Sequence, residues 1–509
     1  MELVLSSFPM LVTFLLLVFM VLKLGKKFKG SERSLNLPPG PWKLPIIGNL
    51  HQLVGSLPHH QLRNLANMYG PLMYLQIGEI PTIVVSSAES AKEVLKTHDI
   101  IFCSRVQTLT GKVITYNSSG MAFVPYGDQW RQLRKLCVME VLSAKKVQSF
   151  RSTREQEVSN LISWIASKSG SVINLTEKLF SLSYDITSKA AFGNKCTDRE
   201  IFISIMEEVM QLLVGANVAD LFPSTRFLQS ITGIKSRLQK IHKQADKIIS
   251  SIIDEHKKHK ERLQTGKDED IVDVLLSVQE RADIEFPITT DNIKAIITEV
   301  FGAGSETTAT TLDWALCEMM KNPRVLKRAQ DEVREVFNKK GKVDETGIAE
   351  MQFLKLVIKE TMRLHTPAPL LFPRECRESC KIDGFDIPAK ATVIVNAWAI
   401  ARDPKYWSEP ESFMPERFLD CSIDFKGLDF EYIPFGSGRR ICPGIPFAIA
   451  NIELLLAMLL YHFDWKLPSG MKHEDLEMTE VFGAIVRRKY DLRIIPIPYC
   501  PSLVAGSLD

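Results

Sequence analysis

Cys442 is the side chain whose neighbours in the sequence best suit the ligation of a metal. It lies in the segment FGSGRRICPG, residues 435–444, and a helical pattern begins near Pro446. A cysteine just before a helix lies at the positive end of the helix dipole and close to unpaired backbone N–H groups, which favour the metal-binding thiolate. Gly438 and Gly444 carry no Cβ and allow the backbone to approach a flat ligand. The segment predicts that Cys442 is a metal-binding anion beside a flat macrocycle.

Two further side chains of this segment suit the same kind of site. Phe435 is large and apolar, and we expect it to shield the sulfur from water. Arg440 carries a fixed positive charge and can form paired hydrogen bonds with a carboxylate, which Lys cannot match. The competing interpretation is a buried thiol in a glycine-rich turn, and that interpretation is favoured for the other eight of the nine cysteines.

A long amphipathic helix is predicted over residues 291–320, and its middle has an unusual composition. Gly302 and Gly304 each cost about 1 kcal/mol relative to Ala in a helix interior, which suggests a need for space. Thr307 can donate a hydrogen bond to the carbonyl of Ala303, which bends the helix and opens a polar notch in an apolar wall. The notch predicts a groove for dioxygen and water, although an ordinary helix crossing would also use such residues.

Glu360 and Arg363 form the only Glu-x-x-Arg sequence of the chain. On a helix this spacing places both charges on one face. An exposed pair of this kind is worth only about 0.3–0.5 kcal/mol, so the pair by itself indicates no function. Arg417 lies further along the chain, within the segment FMPERF.

Together these segments resemble the cytochrome P-450 superfamily. The ligand loop of that family reads Phe-x-x-Gly-x-Arg-x-Cys-x-Gly, and residues 435–444 match all five fixed positions. The resemblance implies a mainly α fold with a small β-rich portion, formed by one large domain behind an N-terminal transmembrane helix. It implies haem b with Cys442 as the axial thiolate, and a buried structural network of Glu360, Arg363 and Arg417.

The resemblance also assigns roles to several other side chains. Glu306 and Thr307 match the acid–alcohol pair that relays protons to dioxygen, although Asp is common at the acid position. The family's propionate-binding residues correspond to Trp130 and Arg134, with assistance from Arg374 and Arg440. Arg131, Lys135 and Arg439 are expected to face the electron donor near the thiolate, or else to be plain solvated side chains. His365 is assigned no chemistry.

The N-terminus carries a strong membrane signal. Residues 3–22 form an uncharged run long enough to cross a bilayer, and four lysines follow it before residue 30. We expect a retained signal anchor over 1–24, a basic and Pro-rich linker over 25–45, and a catalytic domain over 46–509 on the cytosolic face of the endoplasmic reticulum. The alternative is a buried core helix, which seldom stays apolar on all sides for this length.

The remaining patterns are less specific. Residues 73–77 and 82–86 predict a β-hairpin, and Ser86 with Glu89 predicts a capping box at the start of a helix. The charged segments 256–270 and 338–345 predict solvated loops or frayed helix ends.

Composition excludes several classes of function. The net charge of +3 is too small for a general affinity for nucleic acid. The nine cysteines are scattered and odd in number, which argues against a disulfide framework or a structural zinc site.

The expected activity is monooxygenation with O2 and with electrons from NADPH, delivered by NADPH-cytochrome P-450 reductase. The chain resembles plant microsomal members that hydroxylate terpenoids, alkaloids or phenolics. By the same analogy, parts of 102–124, 209–218, 297–303, 366–372 and 481–485 line the substrate pocket. Their apolar composition favours a small apolar terpenoid, a sesquiterpene or diterpene, over an alkaloid or a phenolic such as a flavonoid. The remaining alternatives are a haem-thiolate isomerase or dehydratase, a non-catalytic haem protein, and a haem-free membrane scaffold.

Overall fold

The computed structural model describes residues 35–193, 198–214, 218–225, 232–262, 269–281, 287–341 and 343–499. The predicted membrane anchor, the lysines after it and the first part of the linker lie outside these residues. Within the described part, helices form most of the structure and short strands form four small sheets. The mainly α fold with a small β portion is therefore confirmed.

The helices and strands have the following bounds. The helices are α1 Pro58–Tyr69, α2 Ala88–Lys92, α3 Asp99–Phe102, α4 Leu109–Ile114, α5 Asp128–Leu136, α6 Ala144–Ser149, α7 Arg151–Ala166, α8 Leu175–Phe192, α9 Arg199–Val214, α10 Val218–Leu221, α11 Ile234–Arg262, α12 Ile271–Gln279, α13 Thr290–Lys321, α14 Pro323–Lys340, α15 Glu345–Ile348, α16 Phe353–Leu364, α17 Ala397–Ile400 and α18 Ile445–His462. The strands are β1 Leu72–Ile77, β2 Ile80–Val85, β3 Ser104–Arg105, β4 Ile173–Asn174, β5 Arg374–Glu375, β6 Cys380–Ile382, β7 Phe385–Ile387, β8 Thr392–Val395, β9 Phe463–Lys466, β10 Glu480–Val481, β11 Arg487–Arg488 and β12 Arg493–Pro498.

Helix α13 is the centre of the fold. A capping box of Thr289 and Asn292 satisfies its first backbone N–H groups, and its side chains are buried on almost every side. It packs against α8 and α18, which contribute the largest apolar core. The sequence pattern predicted this helix to within a residue at each end, because the apolar periodicity is long and uninterrupted.

The largest sheet has the strand order β1-β2-β8-β5-β3. The predicted hairpin is confirmed, because β1 and β2 pair antiparallel around a tight turn. The predicted cap is wrong by one residue: the side chain of Ser87, rather than Ser86, accepts the hydrogen bond from the backbone N–H of Ser90. This sheet carries β5, from which Arg374 reaches the site described below.

The charged segments 256–270 and 338–345, predicted as solvated loops or frayed helix ends, do contain helix ends at Arg262 and Lys340, but some of their side chains are buried. His256 is fully buried in α11, and its Nε2 lies 2.9 Å from the Asp270 carboxylate. Asp344 is buried as well, and it caps α15. Buried polar groups of this kind are stable when they are hydrogen-bonded to each other or to backbone.

Two helices are long and apolar enough to be candidates for crossing a membrane, one that begins at Arg199 and one over Ile445–His462. The second is α18, which is mostly buried against α7, α13 and α14. Its apolar composition therefore belongs to the core.

Candidate functional site

One cavity of about 270 Å³ lies between α13 and the loop that contains Cys442. Its wall is formed mainly by apolar side chains. It also brings together seven of the residues that the sequence predicted for the site: Trp130, Arg134, Thr307, Arg374, Phe435, Arg440 and Cys442. The predicted Glu306 and Gly438 do not line it.

The Cys442 loop is held by its own backbone at the start of α18. The N–H of Cys442 donates to the carbonyl of Phe435 at 3.0 Å, and α18 begins three residues later, at Ile445. Gly438 has a φ of +70°, and a Cβ there would come within 2.0 Å of the Leu95 carbonyl oxygen. Gly438 is therefore required by this turn and by the close approach of Leu95.

The protonation of Cys442 is set by opposing effects. Removal from water raises the pKa of the Cys442 thiol, whereas the backbone N–H of Gly444 and the charge of Arg134 lower it. Desolvation is the largest of these effects, and the helix start and Arg134 act against it. The positive charge of a bound metal would shift the balance to the thiolate.

The cavity wall has donors that fit the carboxylates of haem. The indole Nε1 of Trp130 is buried and has no hydrogen-bond partner in the described part of the chain. Arg134 lines the same cavity, and no hydrogen bond or ion pair joins it to another described residue. Unpaired buried donors are costly unless a ligand satisfies them. These two side chains therefore suit a propionate.

Arg374 and Arg440 also line the cavity, but most of their donors already have protein partners. Arg374 donates to Asp99 Oδ1 at 2.8 Å and to the Ser437 carbonyl at 2.9 Å. Arg440 donates to the carbonyls of Cys103, Met121 and Val124. Each guanidinium has five N–H groups, so each retains donors for a ligand.

Asp99 links these parts of the site and was not anticipated from sequence. Besides Arg374, its carboxylate accepts hydrogen bonds from the backbone N–H of Arg439 at 2.8 Å and from the Arg439 side chain at 3.1 Å. Asp99 is buried and thus ties β5 to the Cys442 loop. An isolated Asp at a helix start carries no signal by which the sequence could reveal this role.

The predicted notch in α13 is present. Thr307 Oγ1 donates to the carbonyl of Ala303 at 2.7 Å, and both residues line the cavity. Gly304 lines it too. Gly302 does not, because it packs against Met206, whose Cε would lie 3.1 Å from an added Cβ. Only one of the two glycines therefore serves the groove.

Glu306 is buried behind the notch and faces away from the cavity. Its Oε1 accepts a hydrogen bond from Tyr184 at 3.2 Å and forms an ion pair with Arg487 at 3.1 Å. Burial raises the pKa of Glu306, and the charge of Arg487 opposes that shift. Glu306 can therefore hold a proton, but any exchange with the cavity must pass through Thr307, backbone or water. Tyr184 and Arg487 lie far from Glu306 in sequence, and no motif indicated them.

Glu360, Arg363 and Arg417 form one network. Arg363 contacts both carboxylate oxygens of Glu360, at 2.8 and 2.9 Å, and Arg417 Nε lies 2.9 Å from Oε1 of Glu360. The side chains of Glu360 and Arg363 are 0 % exposed. Carbonyls of Ala401, Pro410 and Ser412 accept the remaining N–H groups of Arg363. The network holds α16 against the segment that leads to Arg417.

Four of the five stretches predicted to line the pocket contribute to the cavity. They supply Arg105, Met121, Ala122, Glu299, Val300, Ala303, Pro367, Ala368, Leu371, Phe372 and Ile485. The stretch 209–218 supplies no described residue. Glu299 is the unexpected member, because one carboxylate oxygen accepts a hydrogen bond from the Ala122 N–H at 3.0 Å while the other has no partner among the described residues. Burial raises the pKa of Glu299 to about 7.

Comparison with known sequences identifies a family over nearly the whole chain. The Cytochrome P450 family model matches residues 38–494. Premnaspirodiene oxygenase from Hyoscyamus muticus is 52% identical over 97% of this chain and 99% of its own length. Tabersonine 16-hydroxylase 1 from Catharanthus roseus is 53% identical over 96% of this chain and 97% of its own length. Relatives of nearly equal identity are therefore named for different substrates.

Solved structures show the same fold. A zebra fish cytochrome P450 determined with abiraterone superposes with a TM-score of 0.73 at 26% identity, and the match covers 87% of this chain and 99% of that one.

Proposed function

Because the chain belongs to the cytochrome P450 family, whose members are haem-thiolate monooxygenases supplied with electrons from NADPH through a reductase, we propose that it hydroxylates a small terpenoid of sesquiterpene or diterpene size. The balanced reaction is RH + O2 + NADPH + H⁺ giving ROH, water and NADP⁺. The observation that carries the proposal is the position of Cys442 and Thr307 on one mainly apolar cavity. An apolar wall selects its ligand by shape and by burial of hydrocarbon surface.

The chain's own residues would bind haem and control protons. Cys442 would supply the axial thiolate, and Trp130, Arg134, Arg374 and Arg440 would hold the propionates. When bound, haem would supply the activation of dioxygen. Thr307 Oγ1, now donating to Ala303, can turn to donate a proton within the notch.

Glu306 would be the proton reservoir behind Thr307. Its burial favours the protonated form, while Tyr184 and Arg487 fix the position of its carboxyl group. The network of Glu360, Arg363 and Arg417 would keep the fold rigid and take no part in the reaction.

An alkaloid substrate is the second candidate, and Glu299 favours it. A carboxylate that lines the cavity and has an unpartnered oxygen could accept a hydrogen bond from a substrate amine. A pure hydrocarbon would leave that oxygen unsatisfied, at a cost of about 1–3 kcal/mol.

The same proposal includes the location of the enzyme. Residues 1–24 would anchor the chain in the endoplasmic reticulum, with the catalytic domain on the cytosolic face. Arg131, Lys135 and Arg439 have exposed side chains, and Arg439 belongs to the Cys442 loop. These three cations would meet the acidic surface of the reductase.

The reaction can be tested in microsomes that contain the chain and a reductase. Terpenes, alkaloids and phenolics are supplied in turn with NADPH and isotopically labelled O2, and products are analysed for one labelled oxygen atom. We expect a terpene to be hydroxylated with the highest kcat/KM. Conversion of alkaloids alone would contradict the terpenoid assignment and favour the role of Glu299.

The role of Thr307 has a matched control on the same helix. Thr307→Ala is expected to keep the haem content but to divert NADPH consumption away from product. Thr298→Ala removes the same kind of bond, to the carbonyl of Lys294, at a position that does not line the cavity, and it should leave the yield of product per NADPH unchanged. Equal yields for both variants would remove Thr307 from the proton path.

A further inference from the structure

Three metal-binding side chains converge at a place that takes no part in the cavity. His59 and His60 lie in the first turn of α1, and Glu480 begins β10. Nε2 of His59 is 2.9 Å from Oε2 of Glu480, and Nε2 of His60 is 3.0 Å from the same oxygen. All three ligand atoms lie within 4.8 Å of one another. We propose that His59, His60 and Glu480 form a binding site for one divalent metal ion, with Zn²⁺ as the preferred ion.

The ligand set suits zinc. Two imidazole nitrogens and one carboxylate oxygen leave a fourth tetrahedral position for water. Ligands about 2.0–2.2 Å from Zn²⁺ in a tetrahedron lie about 3.3–3.5 Å apart. The observed separations of 2.9 and 3.0 Å therefore need to widen by a few tenths of an ångström, and the two imidazole nitrogens, which lie within 4.8 Å of each other, need to take up a similar spacing.

Trp398 holds both imidazole rings in place. Residues that are adjacent in a helix normally point in different directions. Here the ring of His60 stacks on Trp398 at 4.2 Å, and the ring of His59 meets the edge of the same indole at 5.0 Å. Asn396 also donates a hydrogen bond to the backbone carbonyl of His59 at 2.8 Å. Two donors are thus preorganised toward one carboxylate, which reduces the entropy lost when a metal binds.

The cluster is open on one side. The His59 side chain is fully buried and that of Glu480 is 10 % exposed, whereas the His60 side chain is 41 % exposed. An ion can therefore enter past His60, and solvent can complete its coordination.

The surrounding charges set the expected strength of binding. Arg402 acts electrostatically on His59, and His365 acts on Glu480; both would oppose a cation when they are charged. Nδ1 of His59 has no hydrogen-bond partner in the described part of the chain, so the usual support for a metal-bound imidazole is missing there. We expect a dissociation constant in the micromolar range.

A bound ion would join two distant parts of the chain. Glu480 opens the β10–β11 hairpin, whose Ile485 lines the cavity and whose Val486 donates to the Pro367 carbonyl at 2.9 Å. The ion would fasten this hairpin to α1. The site itself does not depend on which reaction the cavity performs.

Zinc titration of the haem-loaded full-length protein tests the site. The protein is purified without a polyhistidine tag and treated with a chelator, and binding of Zn²⁺ is measured by calorimetry and elemental analysis. The test variants are His60→Gln and Glu480→Gln. The control is His98→Gln, which removes a partly exposed histidine whose Nε2 lies 3.4 Å from the carboxylate of Glu93 and which belongs to no candidate metal site among the described residues.

We expect one Zn²⁺ per chain, affinity at least about tenfold weaker in both test variants, and unchanged binding in the control. Zinc should also raise the thermal midpoint of the wild type more than that of His60→Gln. If Glu480→Gln fails to fold, His60→Gln decides, because its side chain is partly exposed. Absence of stoichiometric zinc in the wild type, or equal affinity in His60→Gln, would overturn the proposal.

Discussion

The buried network at α16 and the cavity wall at α13 differ in whether their buried carboxylates have partners. In the network, the carboxylate of Glu360 meets two guanidinium groups, and backbone carbonyls accept further N–H groups of both arginines. In the wall, Glu299 has one oxygen without a partner among the described residues. Complete pairing stabilises a fixed structure, whereas an unpaired group stays available to a ligand. The difference separates a carboxylate that its partners hold in place from one that can still bind a ligand.

The largest effect is expected from Glu360→Gln. The neutral amide leaves the charges of Arg363 and Arg417 buried without a counter-charge, which should cost about 3–5 kcal/mol in the free energy of unfolding. Denaturant titration and the yield of haem-loaded protein measure this loss. The control is Glu416→Gln, whose partners Arg324 and Arg328 lie on the surface, and it should cost less than about 1 kcal/mol. If both variants lost similar amounts of unfolding free energy, the buried pairing of Glu360 would be no more important for stability than a surface ion pair.

The next effect is a pH dependence at Glu299. Its pKa is raised from 4.5 to about 7 in the folded chain, so the folded state binds more protons than the unfolded state between these values. Stability should therefore fall as pH rises through this range, by about 3 kcal/mol in total. Glu299→Gln should remove that slope. Its free energy of unfolding should therefore increase relative to that of the wild type as pH rises from 5 to 8.

The matched control for this pH series is Glu335→Gln, on the exposed surface of α14. Its stability curve should run parallel to that of the wild type. A wild-type-like slope in Glu299→Gln would show that Glu299 is not an uncompensated buried charge, and the contrast between the two regions would weaken.

A smaller effect is expected at Asp99, which links β5 to the Cys442 loop. Asp99→Asn keeps the size of the side chain but weakens its hydrogen bonds to Arg374 and Arg439, which should cost about 2 kcal/mol. The Cys442 loop should then loosen, and the ferrous carbon-monoxide complex should lose its red-shifted band faster on storage. The exposed-surface variant Asp331→Asn, which breaks only a helix-surface pair with Lys327, should do neither. Unchanged stability and band lifetime in Asp99→Asn would contradict this linking role.

The smallest effect on stability is expected from Phe372→Ala. Phe372 lines the cavity but is 41% exposed, so its removal should change the free energy of unfolding by about 0.5 kcal/mol or less. The products should change more than the stability, because the cavity wall acts by shape. Product ratios from a terpene substrate measure this. A large loss of stability with unchanged product ratios would show that Phe372 supports the fold and does not shape the cavity.

Short motifs and long periodicities were readable from sequence, and long-range partners were not. The spacing of Glu360 and Arg363 and the loop around Cys442 indicated local geometry, because residues a few positions apart are constrained by the backbone itself. Helix α13 followed from its apolar period. Asp99, Tyr184 and Arg487 could not be identified, because each acts on a residue more than a hundred positions away. The charge of Glu299 was likewise hidden within a stretch that appeared apolar.

The effects on the pKa of the Cys442 thiol also could not be judged without the structure. The sequence indicated the helix start and its N–H groups, which favour the thiolate, but not the degree of desolvation, which outweighs them. A pattern can show which groups are near one another along the chain, whereas burial depends on everything that folds around them.

The most direct test of this account is the carbon-monoxide difference spectrum of the reduced protein. The wild type should show the red-shifted band of a thiolate-ligated haem, and Cys442→Ser should lose it, while Cys421→Ser, at a half-buried cysteine away from the cavity, should keep it. Retention of the band in Cys442→Ser would contradict the assignment of Cys442 as the ligand of the iron.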